Sequence, residues 1–384
     1  MKLRKLIFWV HLTVGCLAGI VILVMSVTGV LLAYERQINA WADRSGVHIA
    51  PAGEPLPPET LLTRIFAAEQ AVPVTLTLRS EPSSPAEASF GREKTLLVDP
   101  YTGAMLGPAS RRSRDFFEAV ERLHRAVGLQ GGNRALGRSV TGAANFLFLG
   151  LVLSGPFLWL PKTWIWSRVK PTLFFRGNVS GKAREWNWHN VIGIWTAIPL
   201  LVIVVSGVIM SYPWANDFLY RLAGSPVPSN QRPPERGRGG RLLNSNPDFS
   251  GLNDLWSQAQ RQIPRWQSIT LRLPASAREP AVFNLDEGNG GQPQSRSTVT
   301  FDRKSGEMRL ENFASNNLGR RLRMLARFAH TGEAGGAAGQ LIATLASLGA
   351  ALLVYTGISL AMRRWFRARA RAREAVSAGE LQLR

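Results

Sequence analysis

Four of the five histidines in this 384-residue chain stand in a repeating arrangement. His11 is followed by Gly15 four places on and by Thr28-Gly29 at seventeen and eighteen; His189 is followed by Gly193 and by Ser206-Gly207 at the same offsets. At about 100° per residue on a helix, these glycines return to within about 40° of their histidine's face. Each histidine therefore looks along a groove without side chains, where a flat, bulky ligand can lie against backbone. His124 and His330 form a second pair, each preceded by an Asp-x-x-x-Gly segment (Asp99 to Gly103, Asp302 to Gly306) and followed by an apolar stretch. The residue four after each of these is again small, Gly128 and Ala334, whereas His48 has no counterpart.

Two neutral imidazoles facing one another can fill both axial positions of an iron porphyrin and leave no open coordination site. Glycine beside them lets a porphyrin edge approach the backbone; helix packing through small residues is the competing account of the same glycines. Zinc asks for four protein ligands, or three and a water, and no Cys, Asp or Glu is expected beside His11 or His189. A proton pathway would want carboxylates within the apolar stretches. The single cysteine, Cys16, allows neither an intramolecular disulfide nor a Cys-x-x-Cys-His attachment of haem. The residues thus point to two b-type haems bound without covalent linkage. His11 and His189 would be axial to one and His124 and His330 to the other, with Gly15, Gly29, Gly193, Gly207, Gly128 and Ala334 lining them. Arg122, Arg125, Arg134 and Arg138, and Arg320, Arg321, Arg323 and Arg327, stand near the second pair, where haem propionates or lipid head groups can claim them.

Holding such pairs in place is a task for long helices. No Asp, Glu, Lys or Arg occurs between Lys5 and Glu35, Arg138 and Lys162, Glu185 and Asp217, or Glu333 and Arg363. Each gap exceeds the roughly 20 residues that cross a hydrocarbon core of about 30 Å. The short segments around them are basic: Lys2, Arg4 and Lys5; Lys162 to Arg184; and Arg363 to Arg373. Such segments face the cytoplasm. The formal charge of +20 is therefore explained by topology and phospholipid head groups, and no nucleic-acid partner is expected.

The expected fold is an α-helical integral membrane protein, with four transmembrane helices from an internal duplication and two periplasmic α+β lobes. It divides as a first span (1–35), a first lobe (36–137) carrying His124 on an interfacial helix, a second span (138–161), and a cytoplasmic loop (162–187). A third span (188–213), a second lobe (214–332) with a flexible segment at 226–247, a fourth span (333–362) and a basic cytoplasmic tail (363–384) follow. Each lobe reads as a helix and strands closing on the Asp-to-Gly hairpin, where glycine supplies a positive φ. Pairing the histidines by depth places His11 with His189 near the cytoplasmic boundary and His124 with His330 near the outer one. Two haems at those depths would make an electron path across the membrane.

Over nearly its whole length the chain resembles the PepSY-associated transmembrane proteins. The likeness is carried by His11 to Gly29, Asp99-Pro-Tyr-Thr-Gly103, Leu123-His-Arg125, His189 to Gly207, and His330-Thr-Gly332 before the last span. Within that family it is similar to inner-membrane ferric-siderophore reductases of the FoxB kind. The resemblance implies PepSY-type lobes, two b-type haems, and an oxidoreductase that reduces a ferric siderophore in the periplasm to release Fe(II). The siderophore is expected to dock between the lobes, near Tyr101, Phe116, Phe117, Arg111, Arg112 and Arg114. Two other functions stay open: a haem electron carrier serving another periplasmic acceptor, and a PepSY regulatory or binding protein without redox chemistry. No glycine-rich nucleotide loop is present, so the electron donor is expected to be a cytoplasmic protein or quinol. The remaining partner is the lipid bilayer.

Overall fold

The computed structural model describes residues 2–91, 94–161, 163–228, 247–274, 279–303 and 305–382, with side chains to Arg371. Most of the 226–247 segment lies outside the described residues. From the amino terminus, α1 (Lys2–Leu32) leads to α2 (Glu35–Arg44), α3 (Pro58–Glu69), β1 (Thr75–Arg79), β2 (Ala86–Ser89), β3 (Thr95–Val98), β4 (Met105–Pro108) and α4 (Arg111–Ala126). Next come α5 (Arg134–Trp159), α6 (Trp166–Leu173), α7 (Gly181–Ser211) and α8 (Pro213–Leu222). The chain closes with α9 (Leu252–Gln262), β5 (Ser268–Arg272), β6 (Ala281–Asp286), β7 (Arg296–Phe301), β8 (Met308–Asn312), α10 (Leu318–His330) and α11 (Gly336–Gln382). These elements form two units, one of Met1–Tyr34, Phe117–Asn216 and Ala329–Arg384, the other of Glu35–Phe116 and Asp217–Phe328.

The first unit is helical. Helices α1, α5, α7 and α11 are long and apolar enough to cross a membrane. Helix α1 packs on α5 and α11, and α7 packs on the same two, so α1 and α7 stand at opposite corners of a four-helix ring. Lipid tails are as apolar as leucine, so the helices gain contact through small residues. A Cβ on Gly349 would sit 2.6 Å from Thr196, and one on Gly19 would sit 3.3 Å from Val354 and Ile358. Polar side chains in the ring are satisfied internally, as an apolar surround demands. Asn145 donates to the Val204 carbonyl (3.1 Å) and Gln340 to the Ala33 carbonyl (2.6 Å). Leu17, Ile20 and Ile198 face outward, each more than two thirds exposed.

The second unit is α+β and differs from the expected pair of lobes. Its eight antiparallel strands form one sheet in the order β4-β3-β2-β1-β5-β6-β7-β8. The two halves meet along β1 and β5, with Leu76 opposite Leu271 and Leu78 opposite Ile269. Both strands carry the same alternation, buried leucine or isoleucine against half-buried threonine and serine, so either one completes the other's apolar face. Helices α3 and α9 contribute Leu61, Leu62, Ile65, Leu252, Trp256 and Ala259 to a single core with the strands. Their first turns are tied reciprocally: Asn253 Oδ1 accepts from the Glu59 amide (3.1 Å), and Glu59 Oε1 from the Asn253 amide (3.0 Å).

The Asp-to-Gly segments are the hairpins β3–β4 and β7–β8. Asp99 accepts from the Tyr101 and Thr102 amides, and Gly103 turns back at φ +65°. Asp302 accepts from Ser305, and Gly306 turns at φ +72°. Three domain boundaries shift. From Phe117 onward α4 belongs with the helical unit and carries His124 there, His330 belongs to that unit too, and α11 runs unbroken past residue 362. Pro156 lies within α5, which continues to Trp159.

Candidate functional site

The helical unit brings the four repeated histidines together as two pairs. His11 on α1 faces His189 on α7, with ring centroids 6.5 Å apart and planes at 84°. His124 on α4 faces His330 on α10, with centroids 6.4 Å apart and planes at 75°. Thr28, which touches His124, is seventeen residues beyond His11 on α1, a rise of about 25 Å at 1.5 Å per residue. The pairs therefore occupy opposite ends of the bundle.

Each imidazole is held by a hydroxyl from a neighbouring element. His11 Nδ1 lies 2.8 Å from Ser154 on α5, and His189 Nδ1 lies 2.9 Å from Thr356 on α11. His124 Nδ1 is 2.9 Å from Thr28, and His330 Nδ1 is 3.1 Å from Ser206 and 2.8 Å from the Ile203 carbonyl. The same four hydroxyls also reach the carbonyl four residues earlier in their own helix: Ser154 to Gly150, Thr356 to Leu352, Thr28 to Val24 and Ser206 to Val202, at 2.6–2.7 Å.

A hydroxyl owns one proton. With that proton given to a carbonyl, the oxygen is left to accept, so the imidazole donates from Nδ1. For His330 the Ile203 carbonyl, an acceptor only, requires the same assignment. All four rings then keep Nε2 as the nitrogen with a free lone pair, and a partner on the other nitrogen is what orients a ligating histidine. Burial, with His330 beside it, pushes the His124 imidazole down to about 4, and burial lowers His330 too. Both rings are neutral near pH 7, as metal ligation requires.

Gly29 seats His124, whose Cε1 would stand 3.5 Å from an added Cβ. A Cβ on Gly15 or Gly193 would stand 4.0 and 3.6 Å from Leu151 and Leu353 on adjacent helices, and one on Gly207 would stand 2.9 Å from the Asn145 amide. Gly128, at φ +78°, ends α4 by donating to the Arg122 carbonyl, and Ala334 lies in a short turn after α10. The glycines that seat the first pair are Gly155, 3.9 Å from His11 Cε1, and Gly357, 3.4 Å from His189 Cε1. Ser154-Gly155 and Thr356-Gly357 were missed from the sequence, although each repeats the Ser/Thr-Gly dipeptide of the other two spans.

One carboxylate does stand a turn from His189. Glu185 is held by Arg363 at 2.9 and 3.0 Å and by Ser359 at 2.9 Å. Among the described residues no three His, Cys, Asp or Glu side chains gather as a metal site. Of the arginines near the second pair, Arg122 bridges Glu118 and Arg125 bridges Glu121. The expected docking residues also have other duties. Arg114 forms a two-bond pair with buried Asp43 (2.7 and 2.6 Å), which also raises its pKa, and Arg111 reaches Asp115. Phe117 is buried, and the Tyr101 hydroxyl donates to the Pro82 carbonyl. The two halves expected as separate lobes are joined edge to edge in one sheet.

The family model of the PepSY-associated TM region matches residues 8–364. The chain is a PepSY-associated transmembrane protein. It is thus a multi-pass membrane protein with α+β content, and the match takes in all four histidines of the two pairs. No curated protein matches this PepSY-associated chain.

Proposed function

We propose that this protein carries two b-type haems and passes electrons across the bacterial inner membrane to ferric siderophores, releasing Fe(II) at the periplasmic face. The observation that carries this reading is the spacing of the two histidine pairs. With a metal–nitrogen bond of about 2 Å and a ring centre about 1.2 Å behind its nitrogen, two imidazoles on one metal place their centroids about 6.4 Å apart. The measured 6.5 and 6.4 Å fit that requirement. The donor set fits as well, since two nitrogens and, among the described residues, no third protein ligand would suit a metal whose other positions a porphyrin fills.

A bis-histidine iron porphyrin supplies a one-electron couple without an open coordination position. The chain's residues do the rest. His11 and His189 would bind at one end of the bundle and His124 and His330 at the other. Ser154, Thr356, Thr28 and Ser206 hold the rings in one tautomer, and the apolar spans keep water from the path between the pairs. The basic segments at Lys2 to Lys5, in the α5–α7 connection and after Arg363 support cytoplasmic termini and a periplasmic sheet unit. An internal duplication is supported by the matched histidine patterns and by a strand order that reads alike from either edge. Each Fe(III) takes one electron, and hard oxygen ligands hold Fe(II) less well, so the metal is released. Reductant would come from a separate cytoplasmic protein or quinol.

Absorbance of the purified full-length protein tests the cofactor: a sharp Soret band with two haems per chain that shifts on dithionite is expected. A colourless, iron-free preparation refutes the reading. Mixing the reduced protein anaerobically with a ferric trihydroxamate and an Fe(II) chelator tests the activity. Haem reoxidation with Fe(II) capture is expected, and stable reduced haem refutes siderophore reduction.

A further inference from the structure

The connection between α5 and α7 closes back on α7 and frames a cavity there. Asn187, 2% exposed, donates from Nδ2 to the Pro171 and Phe174 carbonyls (2.6 and 3.1 Å), and its Oδ1 accepts from the Arg176 amide (3.0 Å). Further along α7, the Trp195 indole donates to the Leu173 carbonyl (2.9 Å). These bonds pin residues 171–176 to the helix, so the cavity is built before any ligand arrives. It measures about 400 Å³ and is lined by Arg176, Val179, Lys182, Ala183, Trp186 and Asn187.

The charge on its wall has one sign. Arg176 and Lys182 line it and no acidic residue does. Neither cation has a salt bridge or a side-chain hydrogen bond among the described residues. No Asp or Glu occurs from 160 to 184, and Glu185, the next along the chain, is held by Arg363 and Ser359.

Depth says which anion meets these cations. The cavity lies on the first turns of α7, at the end of the bundle that carries His11 and His189. Trp159, Trp164, Trp166, Trp186 and Trp188 gather in the same stretch of chain, and Trp164, Trp166 and Trp186 are about half exposed or more. Indoles so placed mark the head-group level of a bilayer. Cations at that level meet phosphate: a guanidinium fork grips two of its oxygens, and an ammonium adds a compact charge. Val179, Ala183 and the Trp186 ring offer apolar wall to the glycerol and first methylenes. A zwitterionic head group would bring its own ammonium into a cavity with two cations and no carboxylate, so a lipid of net negative charge is favoured.

We propose that this cavity binds the head group of an anionic phospholipid, with Arg176 and Lys182 on its phosphate and Trp186 beside its glycerol. The site requires only that the chain spans a bilayer and is independent of the haem reading. The basic tail after Arg363 attracts the same lipids diffusely, whereas a walled cavity with two cations holds one molecule.

The test is lipid binding to the purified full-length protein in detergent, read by native mass spectrometry as phosphatidylglycerol or phosphatidylcholine is titrated in. One phosphatidylglycerol per chain is expected to bind about tenfold more tightly than phosphatidylcholine, and Arg176→Gln and Lys182→Gln are each expected to weaken it about fivefold. Ala183→Trp, at an exposed helix position, changes no charge and is expected to exclude the lipid by filling the cavity. Arg367→Gln removes the same charge from the α11 tail and is expected to leave binding within about twofold. Equal affinity for the two lipids or an indifferent Ala183→Trp overturns the proposal. So does an Arg367→Gln loss equal to that of Arg176→Gln, which would assign binding to diffuse surface charge. Displacement of the lipid by inorganic phosphate would assign the cavity to a soluble anion and overturn it as well. Should Ala183→Trp fail to fold, the two glutamine variants decide alone, and no weakening in either refutes the site.

Discussion

Removing one hydroxyl at each end of the bundle separates the anchoring role of the Ser/Thr-Gly pairs from general packing. Ser154→Ala takes from His11 its hydrogen bond of 2.8 Å, with no second Nδ1 partner found among the described residues. Ser206→Ala takes a 3.1 Å bond from His330, whose Nδ1 keeps the Ile203 carbonyl at 2.8 Å. Leaving a buried donor unsatisfied costs about 1–3 kcal/mol, and within an apolar span water is not at hand to replace the partner. The His11/His189 site is therefore expected to lose roughly 5- to 140-fold in haem affinity at about 1.4 kcal/mol per tenfold, and the His124/His330 site only a few-fold. Haem capture by excess apomyoglobin, followed at the Soret band, measures both as release rates. Ser154→Ala should create a fast phase of half the amplitude, whereas Ser206→Ala should leave release close to wild type. Equal effects from the two variants would refute the tautomer argument, because they would show that the Ile203 carbonyl does not hold the ring.

Replacing His11 or His189 by alanine is expected to lose one haem, and replacing His124 or His330 to lose the other; pyridine haemochrome stoichiometry and low-temperature spectra distinguish them. Loss of the same haem from His11→Ala and His124→Ala would overturn the pairing. Gly339→Ala places a Cβ 2.2 Å from the Gly332 carbonyl oxygen, and such overpacking is expected to cost about 1–3 kcal/mol. Thermal unfolding in detergent reads it, and an unchanged midpoint would contradict the close crossing. Arg114→Ala leaves the carboxylate of Asp43, buried to 7% exposure, without its two-bond partner. Allowing for the partial exposure of Arg114, the expected loss is about 2–3 kcal/mol. Urea unfolding followed by tryptophan fluorescence checks this, with Asp43→Asn in the same background expected to recover part of the loss and a null effect refuting the argument.

Several features of this protein are local properties, and the sequence alone determined them. Span positions follow from uncharged stretches longer than the hydrocarbon core is thick, and the Asp99 and Asp302 hairpins follow from a side-chain acceptor and a glycine at fixed offsets. The pairing of His11 with His189 and of His124 with His330 was legible because distance from a charged boundary measures depth along a helix. Azimuth was not legible. A membrane helix is apolar on its lipid face and on its protein face, so periodicity does not say which side turns inward. The contacts of Ser154 with His11 and of Thr356 with His189 consequently went unseen. Tertiary structure also decided that the two α+β segments share one sheet. Strands β1 and β5 carry the same alternating pattern, which specifies a buried face but not a partner, and their join is a contact between residues nearly two hundred positions apart.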